Sequence, residues 1–469
     1  MTSPYRSPEH RRSFWALMGA MFQGALSDNI YRLMLVMLLL GLAQTHAIRE
    51  LGDGATEVQI AERATSIGAG YQAILGTMFM LPYVLVVSFA GWLSDRFPKH
   101  LVTQGTKVLE VAVMSAAMVT LFLGPTLLGE NYVWVLVGIL FFMGAQSALF
   151  SPSKYGIMPE IVHDHRVGWA NGIMQGLTFI AIVVGTIAGP KLYGVFSESL
   201  GWAGAVLVLL SCVGLVISLI MRPVAAANPH EELQVNPFPM VWRYGSAIWG
   251  STALTWAVLG SSIWWGVAMM LQNAAVQTAN DVLRLPAELV GLALLPIVVG
   301  MGLGSFAVSL LCRQRIQLGL VVVGAVGMFV SCLIVWAAIP SAATLNAWRT
   351  DSPEFFQWYI YGLPVLMGLS GLTCGFFVTP LEAYIVQQSP SELRGGIWAV
   401  NAVINAGFMI AFTVVGGVVI AQSANTGTAF LAGGVVMLFT LSVLAWRFPQ
   451  IVREVPLLLQ RTPPGEATA

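Results

Sequence analysis

The stretch that decides the fold reads Gly91-Trp92-Leu93-Ser94-Asp95-Arg96-Phe97-Pro98-Lys99-His100. It is a short polar turn between two long apolar runs of the sequence. Gly91 permits a close approach of two helices because it has no side chain. Asp95 is suited to face the positive N-terminal end of another helix, and the run that begins near Arg394 is the expected partner. Arg96 and Lys99 are expected to hold the turn at the cytoplasmic surface of a membrane, since the composition of the chain predicts a membrane protein.

Composition predicts a membrane protein. The chain has 469 residues, of which 57% are hydrophobic and 9% are charged, whereas a soluble domain carries about 25% charged residues. The 22 Lys and Arg balance the 22 Asp and Glu, so the chain lacks the basic surface of a nucleic-acid-binding protein. Its four cysteines form no C-x-x-C pair and are expected to be buried thiols. The sequence therefore predicts a protein that crosses a bilayer several times.

Apolar runs of the length that a transmembrane helix needs, about 20 residues, recur along the whole chain. They are too long and too continuous for the strands of a barrel. With the N-terminus in the cytoplasm, fifteen Lys and Arg fall in cytoplasmic segments and five in exterior segments, so both termini are predicted to be cytoplasmic. The two longest exterior loops, 44–66 and 340–357, are polar and show no pattern. The twelve predicted spans are 14–43, 67–93, 101–123, 131–151, 169–193, 201–221, 247–275, 288–311, 318–339, 358–386, 396–421 and 428–446.

The chain is predicted to consist of two similar halves. Pro152 and Pro380 are 228 positions apart, and Trp169 and Trp398 are 229 positions apart, so nearly the same offset aligns both landmarks. Such a duplication is typical of two-fold transporter folds. The longest cytoplasmic break contains four prolines and separates two groups of six spans. The predicted segments are a cytoplasmic tail (1–13), the N-terminal half (14–221), the linker (222–246), the C-terminal half (247–446) and a second cytoplasmic tail (447–469).

The spacing of Gly91, Asp95, Arg96 and Lys99 resembles the G-x-x-x-D-R-x-x-K/R signature of the major facilitator superfamily, and its place after the second predicted span agrees as well. The resemblance implies an all-α polytopic membrane protein with twelve transmembrane helices in two six-helix halves. It implies that these four residues, together with Arg394, form a conformational latch. In such folds the two halves rock about a site near the middle of the membrane.

Ionisable side chains within the predicted spans mark candidate transport residues, because a charge in the bilayer is costly unless it is paired or faces a cavity. The first span contains Asp28, Asn29 and Arg32, and the third contains Lys107 and Glu110. The spacing of Asp28 and Arg32, and of Lys107 and Glu110, puts each pair on one helix face, where it can form an ion pair. The alternative is that each pair only neutralises itself inside the helix bundle.

Further stretches resemble the bacterial lysophospholipid transporters. The resemblance implies a bacterial inner-membrane protein that carries lysophospholipids, chiefly lysophosphatidylethanolamine, from the outer to the inner leaflet. It also implies a separate acyltransferase/acyl-carrier-protein synthetase that reacylates these lipids. The stretches are Ser27-Asp28-Asn29, Ser151-Pro152-Ser153-Lys154-Tyr155-Gly156-Ile157 with Pro159-Glu160, Ala170-Asn171-Gly172, and Gly375-Phe376-Phe377-Val378-Thr379-Pro380-Leu381.

The same resemblance assigns roles to single residues. Asp28, Lys107 and Lys154 match charged positions of the family, and Asn171 lies in one of the shared motifs. Gln272 stands where the family pattern has an arginine, so Arg32 is expected to partner Asp28 in its place.

The distribution of charges suits an amphiphilic substrate. The first half contains both signs, which a zwitterionic headgroup needs, whereas the second half is an almost uncharged wall whose one clear intramembrane ion is Glu382. By the duplication, Lys154 and Glu382 lie two residues after Pro152 and Pro380. We expect the two charges to approach each other when the protein faces outward. The alternative is that Lys154 meets lipid phosphates at the membrane surface.

Two other classes of protein compete with this interpretation. An enzyme is not expected, because the histidines fall in loops or the N-terminal tail and the sequence contains no H-E-x-x-H, G-x-S-x-G or P-loop motif. No catalytic residue, metal or cofactor is expected, and His163-Asp164-His165 is predicted to be a solvated loop. The closer alternative is a facilitator that exports drugs or other amphiphiles in exchange for protons carried by Asp28 or Glu382. A monomer without a nucleic-acid partner is expected in the lipid bilayer.

Overall fold

The computed structural model describes residues 8–52, 55–230, 237–283, 285, 294–312, 315–340, 342–423 and 425–458. The two predicted tails, the predicted linker and one predicted span extend beyond these ranges at 1–7, 231–236, 288–293 and 459–469, which lie outside the described residues. Within the described ranges every regular element is a helix. A helix satisfies its backbone hydrogen bonds internally, as hydrocarbon requires. The predicted all-α polytopic class is confirmed.

The number of spans depends on how the helices are divided. Nine helices of the described chain are long and apolar enough to cross a membrane, or up to ten if the bent pair Ile74–Leu85 and Phe89–Arg96 is one span. One of the nine, Lys99–Ile161, contains two helices separated by a 3₁₀ turn at Gly129–Asn131. The apolar helix Leu295–Leu311 has only 17 residues. Each of the twelve predicted spans overlaps a helix, so the arrangement agrees with the prediction although the count is not identical.

The described chain forms two compact units. The first comprises the described residues of Met1–Ile161, Ala181–Val241 and Ser391–Ala399. Its helices are α1 (Pro8–Leu51), α2 (Glu57–Leu85), α3 (Val87–Arg96), α4 (Lys99–Leu128), α5 (Tyr132–Ile161) and α7 (Gly201–Ser218), with the second part of α6 (Val167–Val195).

Close helix contacts and a few buried polar groups hold this first unit together. The Tyr31 side chain is fully buried and its O–H donates to the carbonyl oxygen of Leu136 at 2.8 Å, which ties α1 to α5. A Cβ on Gly144 would lie 2.3 Å from the carbonyl oxygen of Phe79, so α5 and α2 touch at the backbone. Small residues permit such contacts between membrane helices.

The second unit comprises the described residues of Val162–Ile180, Trp242–Pro390 and Val400–Ala469. A Cβ on Gly304 would lie 2.2 Å from the carbonyl oxygen of Leu372, so two of its helices are also in backbone contact. Its helices are α8 (Pro237–Trp249, whose first residues belong to the first unit), α9 (Thr252–Gln277), α10 (Leu295–Leu311), α11 (Gly319–Ala338), α12 (Ala342–Asp351), α13 (Pro353–Gln388), α14 (Arg394–Gln422), α15 (Gly427–Arg447) and α16 (Gln450–Arg453).

The units differ from the predicted halves at the starts of two helices. Residues 162–180, which include the first part of α6, belong to the second unit, and residues 391–399, which include the start of α14, belong to the first. The two segments are equivalent in the internal duplication, since each follows the motif that contains Pro152 or Pro380. The predicted division at the linker 222–246 stays a prediction.

The predicted exterior loops 44–66 and 340–357, whose sequences show no pattern, are largely helical. Helix α1 continues to Leu51, α2 begins at Glu57, and much of 340–357 forms α12 or the start of α13. Arg49 stabilises the extension of α1 with two hydrogen bonds to Glu130, at 2.6 and 3.0 Å. A cation in the last turn also interacts favourably with the helix dipole.

Candidate functional site

Asp28 is a candidate transport residue whose side chain is only partly hydrogen-bonded. Its Oδ2 atom accepts a hydrogen bond from the Ser147 hydroxyl of α5 at 2.7 Å. Its Oδ1 atom is buried and has no hydrogen-bond partner. Buried acceptors are nearly always paired, because an unpaired one loses its water without compensation. The Oδ1 atom is therefore available to a donor that comes from outside the first unit's own side chains.

Arg32 does not pair with Asp28, which corrects the expected ion pair. Its guanidinium donates instead to Asn29 Oδ1 at 3.1 Å, three residues away. Asn29 in turn donates to the carbonyl oxygen of Ala25 at 2.8 Å. The i,i+4 spacing permits an Asp–Arg pair but does not compel it, and the i,i+3 amide competes for the same guanidinium. Within the described residues Asp28 thus has no basic partner at ion-pair distance.

Lys107 and Glu110 form the predicted ion pair, with Nζ and Oε2 2.7 Å apart. Both side chains are almost completely buried. Lys107 also donates to Gln23 Oε1 at 2.9 Å, and Gln23 Nε2 donates to Glu110 Oε1 at 2.7 Å. The Ser211 hydroxyl of α7 lies 3.4 Å from the same carboxylate. Gln23 Nε2 also donates to the Ser27 hydroxyl at 2.8 Å, and these five side chains form a buried network that joins α1, α4 and α7.

The buried network favours a packing role for this pair over a substrate contact. Two glycines make room for it: a Cβ on Gly24 would lie 2.7 Å from Lys107 Nζ, and one on Gly214 would lie 1.8 Å from Gln23 Oε1. A buried charge is tolerated when its hydrogen bonds are satisfied, as they are here. A role of Lys107 and Glu110 in transport stays a prediction.

Asp95 lies where the sequence predicted, at the beginning of α14. Its Oδ1 and Oδ2 atoms accept hydrogen bonds from the backbone N–H groups of Gly395 and Gly396, at 3.1 and 3.2 Å. Its own carbonyl oxygen accepts a hydrogen bond from the Asn228 N–H at 2.8 Å. The carboxylate is completely buried, so the N–H groups and the helix dipole take the place of water. That this contact works as a conformational latch stays a prediction.

Lys99 is buried, contrary to the expectation that it holds the turn at the surface. Its ammonium pairs with Glu160 Oε1 at 2.5 Å, and its side chain is 0% exposed. The path to Glu160 runs over Gly156, where a Cβ would lie 2.9 Å from Lys99 Cε. Gly156 and Glu160 both belong to the motif that follows the fourth predicted span, so two motifs of the sequence interlock here.

The remaining latch residues surround this contact. Gly91 is buried in α3, and the Arg96 guanidinium lies 5.7 Å from the ring centre of Trp92. Arg394 opens α14 and is 9% exposed. The Tyr155 ring lies 3.8 Å from the Trp398 ring between centroids, which joins the start of α14 to α5 within the first unit.

Lys154 and Glu382 have local partners of different kinds. The Lys154 ammonium lies 4.8 Å from the centre of the Tyr155 ring, at cation–π distance. Glu382 is 2% exposed and accepts hydrogen bonds from Gln175 Nε2 of α6 and from Trp265 Nε1 of α9, the latter at 3.4 Å. The expected approach of Lys154 to Glu382 stays a prediction.

Asn171 belongs to a tight contact between α6 and its neighbours in the second unit. Its Nδ2 donates to the carbonyl oxygen of Thr379 at 2.9 Å, while its Oδ1 is buried without a partner. Gly172 packs beside it, where a Cβ would lie 2.6 Å from Ser309 Cβ. Gly176, one turn later, also approaches α10, where a Cβ would lie 2.7 Å from the Phe306 ring. Gly168, one turn earlier, approaches Cys312 just after α10, where a Cβ would lie 2.9 Å from Cys312 Cβ. Uncharged small residues thus hold α6 against α10, whereas an acid holds the equivalent start of α14.

Several contact residues escape the sequence interpretation. Ser147, Gln175 and Trp265 each bind a candidate residue without belonging to a pattern noted in the sequence. Glu160 was noted only as part of a motif and not as the partner of Lys99. Gln175 carried one usable signal, since it lies one helical turn after Asn171 and shares its face. Among the described residues, no group of three His, Cys, Asp or Glu could hold a metal ion.

The chain is similar to known proteins both in sequence and in fold. The model of the Major Facilitator Superfamily matches residues 17–356. The lysophospholipid transporter LplT of Yersinia enterocolitica (serotype O:8 / biotype 1B) is 26% identical over 331 residues, which cover 69% of this chain and 72% of that protein. LplT of Cronobacter sakazakii is 27% identical over 336 residues, which cover 69% and 73%.

Solved structures of other transporters have the same fold. The human organic anion transporter MFSD10 (TETRAN) superposes with a TM-score of 0.67 at 12% identity, covering 94% of this chain and 100% of that one. The transporter FucP in its outward conformation gives a TM-score of 0.65 at 14% identity, covering 97% and 100%. At such identities the likeness concerns the fold alone.

Proposed function

Because the chain belongs to the major facilitator superfamily, we propose that it is a secondary transporter of lysophospholipids. It moves lysophosphatidylethanolamine and similar lipids from the outer to the inner leaflet of a bacterial inner membrane by alternating access. Both termini are cytoplasmic, and the protein works as a monomer. A separate acyltransferase/acyl-carrier-protein synthetase reacylates the delivered lipid. The proposal has support from the names of the relatives and from the chemistry of the candidate site.

The observation that carries the proposal is the unpaired oxygen of Asp28. A carboxylate in α1 keeps one oxygen on Ser147 and has the other buried without a donor. The ammonium of an ethanolamine headgroup is a donor of the right charge, and a charge-assisted hydrogen bond would satisfy this oxygen. Asp28 therefore binds the ammonium of the substrate in the proposed mechanism.

The phosphate of the substrate needs a cation near the same acid. Arg32 lies one turn along α1 and gives one hydrogen bond, to Asn29, so its fork has further N–H groups for a phosphate. Because this guanidinium is not paired with Asp28, the two opposite charges are both available to one zwitterion. Asn29 acts as the positioning residue that orients Arg32.

One observation favours a second candidate function, proton-coupled export of drugs or other amphiphiles. A buried acid without a basic partner is suited to bind and release a proton, and Asp28 has no ion pair among the described residues. In this alternative Asp28 carries the proton, and the exported substrate is a drug or another amphiphile.

Uptake by vesicles tests the proposed function. The purified protein is reconstituted into vesicles of phosphatidylcholine and phosphatidylglycerol, and acyl-labelled fluorescent lysophosphatidylethanolamine is added outside. Dithionite then bleaches the label that remains in the outer leaflet. We expect a protected fraction for the lyso lipid that exceeds that of empty vesicles, and none for the labelled diacyl lipid. The same dithionite-protected fraction in vesicles with and without the protein would contradict the proposal.

A pH gradient separates the two candidate functions. Lysophospholipid transport should take place without an imposed pH gradient, because the proposed site binds the headgroup and does not exchange a proton. Gradient-dependent movement of a fluorescent cationic amphiphile, with no uptake of the lyso lipid by the same vesicles, would instead assign the protein to proton-coupled export.

A further inference from the structure

A cavity of about 370 Å³, lined by both polar and apolar residues, lies at one end of the second unit. Its lining comes from four places in the chain: the turn before α6, the connection between α10 and α11, the end of α13, and the segment after α15. The sequence predicts all of these places on the cytoplasmic side. The volume falls within the range of about 300 to 1,000 Å³ that is typical of small-molecule sites.

Two opposite charges face this cavity without pairing. Arg315 and Glu454 both line it, and no ion pair joins them among the described residues. The Arg315 side chain is exposed, so its guanidinium is accessible to a ligand. Its charge nevertheless reaches Glu454: burial raises the pKa of that carboxyl, and the Leu318 N–H and then Arg315 lower it.

Among the described residues, one carboxylate oxygen of Glu454 accepts a hydrogen bond and the other does not. Its Oε2 accepts a hydrogen bond from the backbone N–H of Leu318 at 2.9 Å, which satisfies a donor at the beginning of α11. The backbone of Glu454 is also in close contact with Gly319, where a Cβ would lie 2.9 Å from the Glu454 carbonyl carbon. The segment after α15 is therefore fixed against α11, and the carboxylate is held at the cavity wall.

We propose that this cavity binds the zwitterionic phosphoethanolamine headgroup of a membrane lipid, with its phosphate on Arg315 and its ammonium on Glu454. A separated acid and base suit a ligand that carries both charges, whereas a simple anion would be repelled by Glu454. The other polar lining groups can bind phosphate oxygens: His165, Tyr384, Gln387 and Gln450.

The inference deepens the proposed function and rests on it only for the choice of lipid. A headgroup site on the cytoplasmic side would receive the transported lipid after it leaves the membrane-spanning site. Binding to the cavity is measured without transport, so the two proposals fail separately.

Two single substitutions dissect the two charges. Arg315→Gln removes the cation that binds the phosphate, and Glu454→Gln removes the anion but keeps a carbonyl oxygen for the Leu318 N–H. Arg453→Gln is the matched control, because Arg453 lies one residue away in the same segment and does not line the cavity. Thermal unfolding in detergent checks that each variant is folded.

The experiment measures lipid binding in dodecylmaltoside by native mass spectrometry, together with hydrogen exchange of residues 450–458. The two probes are lysophosphatidylethanolamine and lysophosphatidylglycerol, which share a phosphate but differ in the ammonium. We expect Arg315→Gln to weaken the binding of both lipids about tenfold or more, and Glu454→Gln to weaken only the ethanolamine lipid, as loss of a charged hydrogen bond predicts. Arg453→Gln should change neither.

Three outcomes would overturn the inference: equal weakening of both lipids by Glu454→Gln, no effect of Arg315→Gln, or no protection of residues 450–458 by the ethanolamine lipid in the unaltered protein. Competition identifies the source of the headgroup. Displacement by diacyl phosphatidylethanolamine would assign the site to bulk lipid, and resistance to that lipid would assign it to the transported lyso lipid. Free phosphoethanolamine should compete in either case.

Discussion

The carboxylate of Asp95 binds the helix that begins at Arg394, through the backbone N–H of Gly395 at 3.1 Å from Oδ1 and that of Gly396 at 3.2 Å from Oδ2. A Cβ on Gly395 would lie 2.7 Å from the same Oδ1 atom. The contact therefore depends both on a negative charge and on the absence of a side chain.

Removing the charge of Asp95 should loosen the start of α14. Asp95→Asn can keep only one of the two acceptors, so we expect the contact to lose about 1.5 to 3 kcal/mol, the range for hydrogen bonds to charged groups. Hydrogen exchange of residues 394–399 measures this loss as faster exchange. Unchanged exchange in the variant would refute the helix-end contact as a stabilising one.

Adding a methyl group at Gly395 tests the same contact independently. Gly395→Ala should act in the same direction as Asp95→Asn, because the new Cβ displaces the carboxylate. Gly407→Ala is the matched control, since a Cβ on this glycine of the same helix meets no atom within 4 Å.

The network of Lys107 and Glu110 should be needed for stability. Lys107→Met leaves Glu110 buried without its cation, a change that typically costs about 3 to 5 kcal/mol. The double variant Lys107→Met/Glu110→Leu should lose less than the sum of the two single changes, since no lone charge remains. Thermal unfolding in detergent measures all three variants. If Lys107 acted only on the substrate, the single variants would unfold like the original protein.

Gly172 should tolerate no side chain. A Cβ there would lie 2.6 Å from Ser309 Cβ and 2.8 Å from the carbonyl oxygen of Ser305. Gly172→Ala therefore pushes α6 away from α10, with an expected loss of about 1 to 3 kcal/mol for overpacking. Gly194→Ala, on the same helix and with nothing within 4 Å of its Cβ, is the control. Similar melting temperatures for the two variants would argue against the close contact.

The pair of Arg49 and Glu130 should make the end of α1 sensitive to acid. The hydrogen bond and charge of Arg49 hold the pKa of Glu130 below its ordinary value of 4.5. Stabilisation by the pair is therefore complete above that value and is lost as pH falls through the lowered pKa. Hydrogen exchange of residues 45–51 should be slower than in Glu130→Gln at pH 7, and the difference should vanish in strong acid. A difference that does not depend on pH would contradict this account.

The sequence predicts those features of the fold and site that depend on local pattern. Length and hydropathy place the spans, and the Lys107–Glu110 pair follows from a spacing of three residues. The contact of Asp95 with α14 was predictable because an acid is stabilised beside the positive N-terminal end of a helix. The start of α14 is visible in the sequence as the beginning of an apolar run near Arg394.

Pairs of side chains that lie far apart in the chain were not predictable. Lys99 pairs with Glu160 across 61 residues, and Gln175 binds Glu382 across 207 residues. Both choices depend on helix packing, for example on the space that Gly156 leaves for the Lys99 side chain. The failed pair of Asp28 and Arg32 has the opposite cause, since its members are neighbours and the competing Asn29 is closer still.

The most direct test of the account is uptake of fluorescent lysophosphatidylethanolamine by vesicles that contain Asp28→Asn. Asp351→Asn is the matched control, because this acid is exposed and lies outside the helices of the candidate site. If Asp28 binds the ammonium of the substrate, its amide variant should lose at least about tenfold in uptake, as removal of one charged hydrogen bond predicts. The control should transport like the original protein. Full uptake by a folded Asp28→Asn protein would contradict the proposed binding of the substrate ammonium by Asp28.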